Sequence, residues 1–304
     1  MYFYKVFGLT LQTPFPCVEL LPSGEDKTPD IVIRYGSVPE ALPHPVDSGA
    51  RWQTAPDEYL LNLRRIGRFY VHRGREVVIQ PQENISEESI RLYLLSACLS
   101  VLLHQRRLLA LHVSGIHTKH GAILFAGNSG SGKSTLVSAF LARGYKMLAD
   151  DMVALSLDDG QVMTLPGFPQ VKLWADSAEA LGRSTEGLRR VIPDYEKFAA
   201  SELERFDPTA IPLRAIYVLN RHKDSELILE QPGHTARFNT LLDHTWQKLT
   251  IPGLGLREWH FQTTAQIASR VYFARVTRPF EPFHLTELTD LVENDFTRLE
   301  NGYG

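Results

Sequence analysis

Cysteine is scarce: the 304-residue chain has two, Cys17 and Cys98, far apart in sequence. Such a pair builds neither a disulfide framework nor a zinc site. A reducing cytoplasm is therefore the expected compartment, and each thiol is expected as a small buried hydrophobe. Long apolar runs are missing too. The most apolar stretch, residues 92–103, ends at His104-Gln-Arg-Arg107 and is too short to span a bilayer. A buried helix is expected there, and no membrane partner. The opening Met-Tyr-Phe-Tyr-Lys lacks the basic-then-apolar order of a secretory signal. No charge of one sign dominates: 32 Lys and Arg stand against 35 Asp and Glu, a net charge of −3. That balance argues against a broad nucleic-acid-binding face, while leaving local basic clusters open. Repeats and low-complexity segments are also absent. An apolar fraction of 43% and a charged fraction of 22% are those of a globular protein of one large or two modest domains.

What is present is a full phosphate-binding loop. Residues 127–134 read Gly-Asn-Ser-Gly-Ser-Gly-Lys-Ser, after the apolar run Ala122-Ile-Leu-Phe-Ala126 and before a helix-like run from Thr135. This pattern should arise by accident in about one chain per hundred of this length, and the strand-before, helix-after context lowers that further. An ordinary glycine-rich turn is the competing reading. A strand that delivers a glycine-rich turn to a helix N-terminus aims unpaired N–H groups and the helix dipole at an anion. Gly127, Gly130 and Gly132 permit the backbone angles, with Asn128, Ser129 and Ser131 between them. Lys133 is placed to reach the β- and γ-phosphates. Ser134 is placed to ligate Mg²⁺, and Thr135 closes the binding segment. The cofactors expected are ATP and Mg²⁺.

The first 80 or so residues predict a β-rich region. Residues 2–7, 31–35, 68–72 and 76–80 are short and rich in β-branched or aromatic side chains, with a hairpin turn at Gly74. A helix should start at Ser86, with Ile90, Leu94, Ala97, Cys98, Val101 and Leu102 on one face. The expected division is residues 1–84 as a β-rich N-terminal domain and 85–304 as the phosphate-loop domain. Residues 108–116 predict one strand, turned by Lys119-His-Gly121 into the loop strand. A helix ending at Gly144 and a strand over 145–149 follow. Farther on, 171–174 and 213–219 predict strands, Asp176 starts a helix, 183–210 forms a surface excursion, and a closing helix runs from Leu285.

Asp150 and Asp151 follow that strand, Asp151 lying 18 residues after Lys133. The spacing predicts the carboxyl end of the strand beside the loop strand, where ligands of α/β sheets gather. Phosphoryl transfer to a hydroxyl needs Mg²⁺ ligation and a carboxylate that accepts the hydroxyl proton. One aspartate facing the metal and one facing the acceptor is the simplest division; a solvated turn is the bland alternative. His112 is read either as a satisfied core histidine or as a partner that orients and tunes one of the carboxylates.

Residues 111–116 (Leu-His-Val-Ser-Gly-Ile), the loop at 127–134 and 143–151 (Arg-Gly-Tyr-Lys-Met-Leu-Ala-Asp-Asp) together resemble the catalytic core of the HPr kinase/phosphorylase family. The resemblance implies an α/β fold, a P-loop kinase domain with a mixed sheet and flanking helices. In it Lys133 cradles phosphate, Ser134 ligates magnesium, Asp151 accepts the proton and His112 is its partner, and Asp150 is then the aspartate expected to face the metal. The family's Glu-Ile-Arg-Gly-Leu-Gly-like segment, whose glutamate ligates metal, is missing. The chain has Pro166-Gly-Phe-Pro-Gln-Val-Lys-Leu-Trp174 instead, which resembles the divergent HPr kinase-related branch. Some members of that branch accompany lasso-peptide biosynthesis and phosphorylate the precursor peptide at a C-terminal serine. The branch also implies Lys172, Lys197 and Arg237 as candidates for holding peptide or γ-phosphate, against the plain reading of solvated surface cations. A precursor peptide is then the expected partner, and a homo-oligomer is possible on the parent family's pattern. Two other readings stay open: a kinase of a small-molecule hydroxyl, such as a sugar or hydroxy acid, and a nucleotide-dependent binding protein without turnover. More than 100 residues precede the loop, which is unusual for small-molecule kinases of the shikimate-kinase kind.

Overall fold

The computed structural model describes residues 1–24, 28–175, 178, 184, 186–190, 196–280 and 284–300. The chain is α/β, with a β-rich region ahead of a mixed sheet flanked by helices. It divides into two compact units: residues 1–111, 154–156 and 245–266 form the first, and 112–153, 157–244 and 267–304 the second.

The first unit is built on a nine-stranded sheet. Its spatial order is Leu21–Pro22, Tyr2–Val6, Leu9–Thr13, Ile31–Tyr35, Glu76–Pro81, Gly67–His72, Glu58–Leu63, Trp52–Ala55 and Asp47–Ser48. The hairpin expected at Gly74 is present, with His72 opposite Glu76 and positive φ at Arg73 and Gly74. In Gly67–His72 every second residue is buried, so Phe69 and Val71 face the core. Sequence patterning missed Leu9–Thr13, Trp52–Ala55 and Glu58–Leu63, because in the last of these three consecutive residues are buried and the alternation is lost. The helix starting after Ser86 is capped by that side chain, which accepts from the Ser89 amide at 3.3 Å. It runs to Gln105 through a π-helical turn over Leu94–Cys98. Tyr93 meets Phe69 of the sheet, ring centroids 6.5 Å apart. Both cysteines are free and buried, and burial pushes the Cys17 thiol up to about 12.

The second unit centres on Gly121–Ala126, all six residues of which are buried. It pairs parallel with Ile211–His222, which pairs parallel with Tyr272–Pro279. Strands covered on both faces read as continuous apolar runs, and this one does. The helix Lys133–Ala142 covers it, with Phe125 and Phe140 stacked at 5.6 Å and Phe140 against Phe296 of the closing helix Leu285–Glu300 at 5.8 Å.

Two strand expectations are corrected. Residues 108–116 are not one strand: Leu109–Leu111 and Ser114–Thr118 are separate, with His112 in the break. The Lys146–Ala149 strand is not the immediate neighbour of the loop strand either. Ser114–Thr118 lies between them, antiparallel to both. The reason is local. Two residues, Lys119 and His120, join Ser114–Thr118 to Gly121–Ala126, and so short a connection makes a hairpin. That hairpin occupies the position next to the loop strand. The helix proposed from Asp176 and much of the 183–210 excursion lie outside the described residues; within the excursion Lys197–Ser201 pairs with Gln170–Trp174. Among the described residues, no helix is long and apolar enough to cross a membrane.

Candidate functional site

The glycine-rich loop at 127–134 leads from the strand Gly121–Ala126 into the helix Lys133–Ala142. Gly127, Gly130 and Gly132 all have positive φ, at 148°, 78° and 104°. Gly127 is the tightest position. A Cβ there would stand 2.6 Å from Ser131 Oγ and 2.7 Å from the Leu219 carbonyl oxygen, so only glycine lets the chain turn that close to the neighbouring strand. Asn128, Ser129 and Gly130 are exposed, while Ser131, Lys133 and Thr135 are buried. Lys133 folds back over the loop, its Nζ donating to the Gly127 carbonyl at 2.8 Å and reaching the Asn128 carbonyl at 3.5 Å.

Ser134, one residue on, turns toward the aspartates. Its hydroxyl donates to Asp150 Oδ1 at 2.9 Å, and the Ser114 hydroxyl donates to the same oxygen. The other oxygen of Asp150 accepts the Lys172 backbone N–H at 2.8 Å. Asp150 is 3% exposed. The structure thus gives this buried carboxylate three donors, as burial of a charge requires.

Asp151 faces another way. Its φ is +88°, an angle that is strained for any residue but glycine. The strand ends at Ala149, so this backbone twist, rather than strand pleating, separates the two carboxylates. Asp151 Oδ1 lies 3.2 Å from His112 Nδ1, and Oδ2 accepts from Lys172 Nζ at 2.7 Å. His112 is half-buried. Burial holds its pKa below the ordinary histidine value, the Asp151 charge opposes that shift, and the Lys133 charge adds to it.

Sequence reasoning therefore finds its residues in one place. Lys133, Ser134, Asp150, Asp151 and His112 converge, and Lys172, on the strand Gln170–Trp174, joins them through both its backbone and its side chain. Arg237 does not join. Its guanidinium donates to the Pro232 carbonyl at 2.8 Å, just before its own helix His234–His244. Lys197 heads the strand paired with Gln170–Trp174, opposite Trp174, and its side chain lies outside the described residues.

Three residues were missed. Sequence patterning places Ser114 only within a strand. His244 ends the helix His234–His244, which sequence patterning does not reveal; its carbonyl accepts the His112 amide at 2.6 Å, and its ring, with Nδ1 2.8 Å from the Thr240 carbonyl, also reaches the Gly127 backbone. Arg278 is buried on Tyr272–Pro279 and clamps the loop, donating to the Ser131 carbonyl at 3.3 and 3.2 Å through Nε and Nη2. Burial and the adjacent Arg221 charge lower its pKa to about 10. A short signal existed for Ser114, since a hydroxyl two residues after His112 sits beside the loop strand. None existed for His244 or Arg278, which arrive from more than 100 residues away.

The site fits the groups its sequence implies. A hydroxyl and a carboxylate at Ser134 and Asp150 are hard oxygen donors, the kind Mg²⁺ takes from a protein when phosphate and water supply the rest. The Lys133 ammonium, drawn onto two loop carbonyls, sits where a phosphate chain would replace them. No family model matches the chain, and no curated protein matches it. Among solved structures, the Hpr(Ser) kinase/phosphatase from Coxiella burnetii is similar over 63% of this chain and 98% of that one, at 12% identity and a TM-score of 0.33. At that level the likeness says nothing about chemistry.

Proposed function

We propose that the chain is a Mg²⁺-dependent kinase that transfers the γ-phosphate of ATP to a serine hydroxyl of a peptide. The acceptor favoured by the sequence resemblance is the C-terminal serine of a lasso-type precursor peptide. The observation that carries the kinase reading is the split of the aspartate pair. Asp150 is tied to Ser134 of the phosphate loop, while Asp151 faces His112 and Lys172. Phosphoryl transfer to a hydroxyl needs those two environments, one for metal and one for proton.

In this reading the loop backbone and Lys133 bind the phosphates, and Ser134 and Asp150 hold Mg²⁺. Bound there, Mg²⁺ would supply positive charge against the phosphates. Asp151 accepts the proton of the serine hydroxyl as its oxygen bonds to the γ-phosphorus and the bond to the β-phosphate oxygen breaks. His112 and Lys172 hold the Asp151 carboxylate in one orientation, and Lys172 is in position to contact the incoming peptide or γ-phosphate.

The test is mass spectrometry of serine-ended peptides, lasso precursors among them, after incubation with the protein and Mg·ATP. One added phosphate per peptide, lost in Asp151→Asn while ATP still binds, is the expected result. Phosphate appearing on a sugar or hydroxy acid and on no peptide would replace the acceptor class. Normal turnover by Asp151→Asn would remove the assigned base.

A further inference from the structure

The first unit carries a cavity that the kinase chemistry leaves unused. It has a volume of about 1090 Å³, at or above the upper end of small-molecule sites, which run to about 1,000 Å³. Its wall is cationic and aromatic: Arg51, Arg64, Arg65 and Arg68, with Trp52 and Tyr93. One carboxylate, Glu40, lines it and pairs with Arg68 at 3.3 Å. Arg51, Arg64 and Arg65 are exposed, and among the described residues none of them pairs with a carboxylate.

The backbone sets this wall. Arg64 and Arg65 fall in the turn between the antiparallel strands Glu58–Leu63 and Gly67–His72. Arg51 falls in the turn between Asp47–Ser48 and Trp52–Ala55, and its carbonyl accepts the Asn62 amide at 2.7 Å, which brings the two turns side by side. Trp52 is fixed against Gly49, where a Cβ would stand 2.4 Å from the indole nitrogen. A chain of net charge −3 thus gathers four arginines around two aromatic rings. Arginine and aromatic side chains are the ones that dominate peptide and protein interfaces, and arginine forks match carboxylates two bonds at a time.

We propose that this cavity binds an acidic segment of the peptide substrate, outside the serine that is phosphorylated. The occupant's identity rests on the peptide-kinase reading; the preference for clustered carboxylates rests on the arginines alone. Charge complementarity selects glutamates and aspartates, and Trp52 and Tyr93 select a neighbouring apolar or aromatic residue.

The experiment is fluorescence anisotropy with the full chain and a fluorescein-labelled peptide rich in glutamate with one aromatic residue. A second peptide carries lysine in place of each glutamate. Both are titrated with the native protein and with the double variant Arg64→Glu, Arg65→Glu. The acidic peptide should bind the native protein and lose about tenfold or more in the variant, more at low salt than at high, while the lysine peptide shows the opposite order. Equal affinity of the acidic peptide for both proteins overturns the proposal. So does tighter, arginine-dependent binding of single-stranded RNA or of phosphatidylserine vesicles run in parallel. If the double variant does not fold, Arg51→Glu carries the same comparison. The two readings fail separately. Arginine-dependent peptide binding with no phosphate on any serine sinks the kinase and keeps the acidic-peptide site. Phosphorylation of an acidic peptide with KM unmoved by the charge reversal sinks the site and keeps the kinase.

Discussion

Among the described residues, every hydrogen-bond donor to Asp150 is a hydroxyl or a backbone amide; Asp151, the next residue, faces a histidine ring and a lysine ammonium. The first set fixes a charge and gives it nowhere to send a proton. The second set surrounds a carboxylate with groups that respond when its charge changes. Burial follows the same division, with Asp150 at 3% exposure and the Asp151 side chain at 21%. A positive φ at Asp151 is what allows two adjacent carboxylates to differ this much. The contrast teaches that the pair is better described as two sites joined by one peptide bond than as a diacid.

The contrast breaks most visibly if both aspartates respond alike to mutation. Asp151→Asn keeps the size of the side chain and removes the carboxylate proposed as proton acceptor. General-base contributions are about 10²–10⁴-fold, so kcat should fall by that order while ATP affinity stays within a few-fold. Steady-state kinetics with parallel nucleotide titration read both. An equal loss of nucleotide affinity in this variant would merge the two regions and sink the division of roles.

Acid pH separates the fold from the site, because a buried and a half-buried histidine with different partners respond differently. His104 is fully buried in the first unit, its Nε2 2.9 Å from the Trp246 carbonyl, and burial depresses its pKa to about 4. A depressed folded-state value means that stability is fully present above the unfolded value of about 6.5. It is lost as pH falls from there through about 4. The loss approaches about 3 kcal/mol. His112 is shifted the same way by burial but is pulled back by Asp151, so its protonation should show in activity first. Urea unfolding at pH 7 and pH 4.5 should show the loss, and His104→Leu should flatten it. An unchanged slope in that variant would place the acid sensitivity elsewhere.

Much of this arrangement was legible in the sequence, for a reason that also marks the limit. Residues 127–134 form a loop whose backbone angles are set by its own glycines, so pattern and geometry coincide there. The strand into Asp150 and Asp151 was legible because three apolar, buried residues, Met147, Leu148 and Ala149, precede the aspartates. The neighbour order was not, since the two-residue connection at Lys119 and His120 decides which strand sits next to the loop strand, and strand propensity carries no such information. His244 and Arg278 reach the loop from the far end of the chain, and only packing brings them there. Lys172 was one of three cations suggested by resemblance. A strand register that puts its amide on one aspartate and its ammonium on the other singles it out.

Ser114 tests the Asp150 side of the contrast with one atom. Its hydroxyl donates to the oxygen that Ser134 also reaches, so it orients a carboxylate without touching a ligand itself. Removing such outer partners costs about 10–100-fold in metal affinity or activity. Ser114→Ala should raise the Mg²⁺ concentration needed for half-maximal rate by that factor, with the saturated rate nearly kept. Magnesium titration of the variant decides it, and an unshifted half-point would leave Asp150 without its metal role.

Lys172 joins the two regions, so its replacement asks whether they are independent. The backbone N–H to Asp150 survives any substitution, whereas the ammonium on Asp151 does not. Lys172→Met should therefore leave the Mg²⁺ half-point unmoved and lower kcat. An ion pair this shielded is worth more than the ~1 kcal/mol of an exposed one, and the expected loss is about tenfold. Lys172→Arg keeps the charge with a different reach, so it should recover part of kcat if the ammonium's role is to hold the carboxylate. It should recover little if a point charge on the acceptor or phosphate is needed, because guanidinium and ammonium differ in geometry more than in charge. A drop in Mg²⁺ affinity in Lys172→Met would mean that strain at Asp151 is transmitted through the shared peptide bond to Asp150. The two carboxylates would then have to be treated as one coupled group after all.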